Sequence, residues 1–395
     1  MRHGHNIMKR MADSSKTSRR DFLSGKSAAE AIGDALLGPP RPLPPPATVG
    51  VQPGSHLLSV SREAMACLFE VVFDAATYRD GADVAVEALD RVAALEDQLT
   101  VYRETSEVMD INRRASQEPV IAEEGLFRLF QRAVALSEAT GGAFDITAGR
   151  LSKIWGFYRR QGSMPLADDV AAALATVGSR HLELDEAARS VRFLQPGLEL
   201  NLGAIGKGYA LDRAADALTA GGVGDFLIHG GNSSVLARGG RISDFRFQIS
   251  NLEDTVRANS EICNLKSEIA SWSVALRHPL KPDVRLAEFT LANQALGTSG
   301  SGTQFFHHQG KRYGHIIDPR SGWPAEQVLS ATVIAPTAER ADALSTAFYV
   351  MGLAAAAAYC ERHPDVSALL VTQSKAAGGI ELHPINLPED RWRRL

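Results

Sequence analysis

The sequence predicts an α+β fold of mixed, mostly antiparallel sheets with packed helices. Two observations carry that expectation. β-branched and aromatic runs come in groups joined by tight turn signals, and helical stretches fall between the groups rather than alternating strictly with strands. Taken in order, the folded part is expected to begin near His56, with residues 57–60 and 67–73 as a hairpin. Residues 82–99 place Ala85, Leu89, Val92, Ala93 and Leu99 on one helical stripe. Residues 125–140 repeat that stripe through Leu126, Leu129, Phe130, Ala133 and Leu136, and Gly141-Gly142 stops it. Residues 166–177 read as an alanine-rich helix, and 181–184, 191–194 and 198–202 as three strands.

A glycine-rich turn then leads into a helix at 209–220, and strands at 226–229 and 234–237 flank the turn Gly230-Gly231-Asn232. Residues 285–293, 312–318 and 329–334 are strand candidates, 337–351 and 354–363 helices, and 366–372 a late strand. Residues 251–272 fit least well. They are polar, with Leu252, Val256, Leu265, Ile269 and Trp272 at roughly helical spacing. They read as an insertion between two strands, either an amphipathic helix or a loop.

Residues 1–55 stand apart from the folded domain at 56–395. Ser18-Arg19-Arg20-Asp21-Phe22-Leu23 resembles a twin-arginine export signal, followed by an apolar stretch that Glu30 and Asp34 interrupt and by a proline-rich spacer. Export to the periplasm or cell envelope is the expectation, and a cytoplasmic protein with a chance double arginine the alternative. The 46 acidic and 42 basic side chains leave no basic field for nucleic acid. Cys67, Cys263 and Cys360 are too few and too scattered for a disulfide framework or thiolate metal site. No run of about 18 apolar residues suggests a transmembrane segment.

Five stretches carry possible chemistry. Asn201-Leu202-Gly203-Ala204-Ile205-Gly206-Lys207-Gly208 is a glycine-rich turn opening a helix, where backbone N–H groups and a lysine can meet a phosphate. Asp342 and Thr346 lie four apart on a helix, so carboxylate and hydroxyl share a face, a hard-oxygen pair suited to Mg²⁺. His315 enters the strong turn Asp318-Pro319-Arg320-Ser321-Gly322. Gly141-Gly142-Ala143-Phe144-Asp145-Ile146-Thr147 ends a helix in a polar loop, and Thr298-Ser299-Gly300-Ser301-Gly302 is a loop of small residues. Each also has a plain structural explanation: a glycine turn with a surface lysine, an aspartate at a helix dipole, a packed histidine.

Together, in this order, the stretches resemble the ApbE family of FAD:protein FMN transferases, with Met65, Phe69-Glu70 and Tyr102 matching as well. The resemblance implies an ApbE-like fold. It also implies Mg²⁺-dependent transfer of FMN from FAD to a threonine or serine hydroxyl of an acceptor flavoprotein, with release of AMP. On that basis Met65, Tyr102, Ala143, Phe144, Asp145, Asn201, Lys207 and Ile316 would surround FAD. The Ala204 carbonyl, Asp342 and Thr346 would hold Mg²⁺, and His315 would act on the accepting hydroxyl. An FAD pyrophosphatase and a non-catalytic flavin-binding protein are the alternatives. Departures from the family pattern are Asn201 where aspartate is usual, Ala66-Cys67-Leu68 after Met65, and the 251–272 insertion.

Overall fold

The computed structural model of the chain describes residues 48–51, 56–240, 246–248 and 271–395, apart from Asn232, Ser301, Thr303 and 376–378. A nine-stranded sheet runs through its middle in the order Thr48–Val51, Leu57–Ala64, Cys67–Asp74, Phe226–Gly230, Ser234–Arg238, Gln294–Gly300, Ser330–Ala335, Ser367–Gln373 and Ile380–Ile385. Every neighbouring pair in it is antiparallel. A smaller sheet, Trp392–Arg394, Lys281–Leu291, Trp272–His278 and Arg246–Gln248, contains the parallel pair that makes the fold mixed.

Both faces of the large sheet are covered, which explains why Phe226–Gly230 and Ser330–Ala335 are buried along their whole length. One face puts Val60, Phe69, Phe73, Ile228 and Leu370 against the helices Gly81–Leu99, Gly206–Ala220 and Ala338–Arg362. The other face, with Val72, Leu227, Val235, Ile334 and Leu369, meets Trp272, Val274 and Phe289 of the smaller sheet. Alternate residues of one strand therefore enter two different cores.

Several details differ from the sequence expectation. The first strand, Thr48–Val51, precedes His56. Residues 198–202 form no strand; Leu200 and Asn112 exchange hydrogen bonds instead, leaving a single bridge at Glu199. Thr298 to Gly300 end a strand rather than forming a loop, because they pair with Ser330 to Thr332. The expected strand at 312–318 stops at Gly314 and turns back as a two-stranded ribbon, Phe305–His308 with Lys311–Gly314. Trp272 opens a strand and is buried. The insertion at 251–272 otherwise lies outside the described residues, as do Cys263 and the export motif. The two late helices form one bent element, Ala338–Arg362, broken at Gly352, whose φ of 78° no helix accommodates. This helix is long and apolar enough to cross a bilayer by length and composition, although no sufficiently apolar run was expected. Most of its apolar stretch is buried in the protein.

Two glycines let the central helices approach the sheet and each other. A Cβ on Gly208 would sit 2.1 Å from the Ala338 carbonyl oxygen, and one on Gly297 2.4 Å from that of Ala341. The buried Asp212 carboxylate accepts from the N–H groups of Ala338 and Glu339, both at 2.9 Å, and so caps the late helix from its neighbour. Burial pushes the Asp212 carboxyl up to about 6. Thr337 caps the same terminus by accepting from the Arg340 N–H.

Candidate active site

All twelve residues singled out in the sequence line one cleft of about 570 Å³: Met65, Tyr102, Ala143, Phe144, Asp145, Asn201, Ala204, Lys207, His315, Ile316, Asp342 and Thr346. They come from six separate regions of the chain. The fold gathers them on the helix-covered side of the large sheet.

Met65 reaches the cleft from a hairpin tip. The pairing of Ala64 with Cys67 leaves a two-residue loop in which Met65 and Ala66 have φ of 49° and 59°. Such a loop favours glycine or asparagine, so each residue is held at a cost of order 1–3 kcal/mol. Tyr102 is 61% exposed, its ring 4.7 Å from that of Tyr158, which donates to the Val101 carbonyl.

Asp145 is occupied within its own loop. Its carboxylate accepts from Ser137 Oγ, from the N–H and Oγ1 of Thr147, and from the N–H and Oγ of Ser179, at 2.6–3.1 Å. It shapes the wall that Ala143 and Phe144 form. Asn201 is similarly engaged, since its Oδ1 accepts from the Gly203 N–H at 2.8 Å. A carboxylate oxygen would close the same turn, so asparagine preserves the local geometry here.

The glycine-rich turn offers fewer free donors than expected. The N–H groups of Ile205 and Gly206 go to the Leu202 carbonyl, and that of Gly208 goes to Asp342 Oδ2 at 3.0 Å. Lys207 makes no ion pair among the described residues, and its side chain lines the cleft as an uncommitted cation. Because the Gly208 N–H is diverted, no described donor reaches the Ala204 carbonyl four residues back. An orphaned carbonyl on a cleft wall is a ready ligand for a hard cation.

Asp342 is buried, and its second oxygen accepts from Ser234 Oγ at 3.1 Å. Burial raises its carboxyl above the usual carboxylate range, while Lys207 and the donors at Gly208 and Ser234 pull it down. Thr346 Oγ1 lies 3.0 Å from Ser299 Oγ, which also meets Ser345 Oγ at 2.8 Å. The donor set is therefore one carboxylate, one hydroxyl and one carbonyl, all hard oxygens. Among the described residues no cluster of three or more His, Cys, Asp and Glu side chains forms a softer metal centre. Oxygen donors of this kind suit a hard cation such as Mg²⁺, which takes few protein ligands and fills its shell with water or phosphate oxygens.

His315 is fixed by Gln304, whose carbonyl accepts from the His315 backbone N–H and lies 3.1 Å from Nδ1. A carbonyl only accepts, so Nδ1 carries the proton and Nε2 keeps its lone pair. Burial, and secondarily the Lys207 charge, lowers the His315 pKa from its ordinary 6.5. Near neutral pH the imidazole is thus the uncharged free base.

Sequence reasoning missed Ser234, Gln304 and Arg160, all of which serve the cleft or its lining residues, and read Ser299 only as part of a stretch of small residues. Ser234 and Gln304 act on residues 108 and 11 positions away, a relation no local pattern signals.

A profile of the ApbE family matches residues 65–370. A FAD:protein FMN transferase of Klebsiella pneumoniae is 34% identical over 283 residues, covering 71% of this chain and 79% of the relative. Another of the same name, from Treponema pallidum, is 31% identical over 308 residues, 74% of this chain and 80% of the relative. The crystal structure of the ApbE protein of Thermotoga maritima superimposes with a TM-score of 0.66 at 27% identity, covering 82% of this chain and 96% of that one.

Proposed function

The chain belongs to the ApbE family, and from that premise we propose that it transfers FMN from FAD to a threonine or serine hydroxyl of an acceptor protein, with Mg²⁺ bound and AMP released. The observation that carries the proposal is the meeting, in one cleft, of His315 with the hard-oxygen set Ala204, Asp342 and Thr346.

In the proposed reaction the acceptor hydroxyl oxygen forms a bond to the FMN-side phosphorus of FAD. The bond from that phosphorus to the bridging oxygen breaks, and AMP leaves with the bridging oxygen. A hydroxyl is a weak nucleophile near neutral pH, so its proton must be taken as it attacks. His315 Nε2 is suited to that task because Gln304 holds the proton on Nδ1. Lys207 offsets charge on the diphosphate, and Tyr102 and Met65 offer an aromatic face and a thioether to the flavin nucleotide. Bound Mg²⁺, held by the Ala204 carbonyl, Asp342 and Thr346, would supply charge neutralisation and orientation of the diphosphate.

The test is incubation with FAD, Mg²⁺ and a threonine-containing acceptor, followed by intact-mass measurement. Acceptor carrying one FMN supports transfer; FMN and AMP released with the acceptor unmodified would assign a pyrophosphatase. The double arginine at residues 19–20 supports delivery to the periplasm or envelope. Fractionation of cells expressing the protein with and without Arg19 and Arg20 tests that placement, and an unchanged cytoplasmic location would end it.

A further inference from the structure

Three phenylalanine and tyrosine rings line the cleft, and they are not held alike. Phe144 and Phe157 are buried, whereas Tyr102 is exposed. An exposed tyrosine turns freely about its side-chain bonds, and a ligand that settles on its ring must stop that motion at an entropic cost. Tyr102 is instead held from behind before any ligand arrives.

Its backbone is fixed first. The Tyr102 N–H donates to Thr100 Oγ1 at 3.2 Å, and the Thr100 carbonyl accepts in turn from Ser106 Oγ. One side of the ring then meets Tyr158, centre to centre at 4.7 Å with 35° between the planes, a separation at which aromatic rings attract. Tyr158 is itself anchored. Its hydroxyl donates to the carbonyl of Val101, the residue before Tyr102, at 2.6 Å. Burial raises its pKa above the ordinary 10, so the hydroxyl keeps the proton it donates. Lys153 Nζ lies 5.4 Å from the Tyr158 ring centre and pairs with Glu199 at 2.7 Å. Glu199 is locked in turn. Its carbonyl accepts from the Gly149 N–H, and a Cβ on Gly149 would come within 2.7 Å of that oxygen.

The local chain places Tyr158 behind the cleft wall rather than in it. It is the middle residue of the turn Phe157–Arg159, between Gly156 at φ 71° and Arg160 at φ 55°. Phe157 and Arg160 line the cleft and Tyr158 does not. Yet Tyr158 touches the ring of one lining residue, Tyr102, and the carbonyl of another, Val101. We propose that Tyr158 is a positioning residue for the nucleotide substrate, holding the Tyr102 ring ready to receive a planar ring of FAD, isoalloxazine or adenine. The proposal rests on the part of the transferase reading that puts FAD in this cleft, and adds a residue outside the cleft that sets FAD affinity.

The test is a double-mutant cycle on Tyr102 and Tyr158, read as FAD affinity by flavin fluorescence titration and as KM against kcat in AMP release. Tyr158→Leu should raise Kd and KM for FAD about three- to tenfold, with kcat at saturating FAD within about twofold of wild type. Tyr158→Phe keeps the ring and should stay within about twofold in all three. In a Tyr102→Leu background, Tyr158→Leu should change Kd by less than about 1.5-fold, because the ring it positions is gone. A packing role alone would lower Tm and weaken binding by the same factor in both backgrounds, and that additivity overturns the proposal. So does unchanged FAD affinity in Tyr158→Leu, or a loss in Tyr158→Phe as large as leucine's. Thermal melting checks that each protein is folded, and Tyr158→Met takes the place of Tyr158→Leu should leucine prevent folding. FMN titrated beside FAD distinguishes the two rings: a parallel loss assigns isoalloxazine, and a loss with FAD alone assigns adenine. Wild type that binds FAD but releases no AMP with Mg²⁺ and a threonine acceptor overturns the transferase reading, while the binding cycle still decides the role of Tyr158.

Discussion

Replacing Asp342 by asparagine separates what this residue does for the fold from what it does for the reaction. Asparagine has the same shape. Its Oδ1 can accept from the Gly208 N–H, and its Nδ2 can donate to Ser234 Oγ, because the hydroxyl turns to accept. Two hydrogen bonds to a charged acceptor become two neutral ones, a loss of about 1 kcal/mol each. Against this, a fully buried carboxylate no longer has to be kept out of water, a gain of several kcal/mol. The Asp342→Asn protein should therefore melt, in EDTA, at the wild-type temperature or a few degrees above it. Its charge at the proposed Mg²⁺ ligand is gone, however, and with it several kcal/mol of help to the departing phosphate. Turnover should fall by about 10³ or more, equal to roughly 4 kcal/mol on the barrier. Differential scanning fluorimetry and AMP release measure the two sides. Turnover within about threefold of wild type would refute the placement of metal chemistry at Asp342.

His315→Ala should leave FAD affinity intact and lower transfer by about 10²–10⁴ in single-turnover assays. Because burial holds the His315 pKa below 6.5, the free base persists as pH falls, and the acidic limb of kcat/KM should lie below pH 6.5; a limb at or above that value contradicts the assignment. Gly208→Ala must push the Ala338 carbonyl away by more than an ångström, destabilising the protein by about 1–3 kcal/mol and displacing Asp342 with its helix. Both Tm and turnover should drop, and wild-type values for both would show that this close approach is not required. Asp145→Ala strands the donors of Ser137, Thr147 and Ser179, so FAD binding should weaken and Tm fall, measured by flavin fluorescence titration and thermal melting.

The parts of this architecture that were legible in the sequence are those with local causes. The helical stripe at Ala85, Leu89 and Val92, the glycine stop at 141–142 and the hairpin around Met65 each depend on neighbours in the chain. Residues 198–202 misled because their alternating leucines are buried by loop contacts, with Asn112 supplying the hydrogen bonds that a partner strand would have supplied. The glycine-rich turn was legible as a site, but the fate of its N–H groups was not, since Asp342 claims one of them from 134 residues away. Gln304 and Ser234 escaped notice for the same reason, being set by strand pairing rather than by spacing. Trp272–His278 was missed although Trp272, Val274 and Leu276 alternate into one core, because Trp272 also fits the helical spacing of 251–272.

The most direct test of the central claim is the mass of a threonine-bearing acceptor after incubation with FAD and Mg²⁺, run beside the Asp342→Asn and His315→Ala proteins. Covalent addition of one FMN per acceptor, with equimolar AMP from the wild type and almost none from either variant, is the predicted result. Flavin appearing on the acceptor at equal rates in all three proteins would contradict the account.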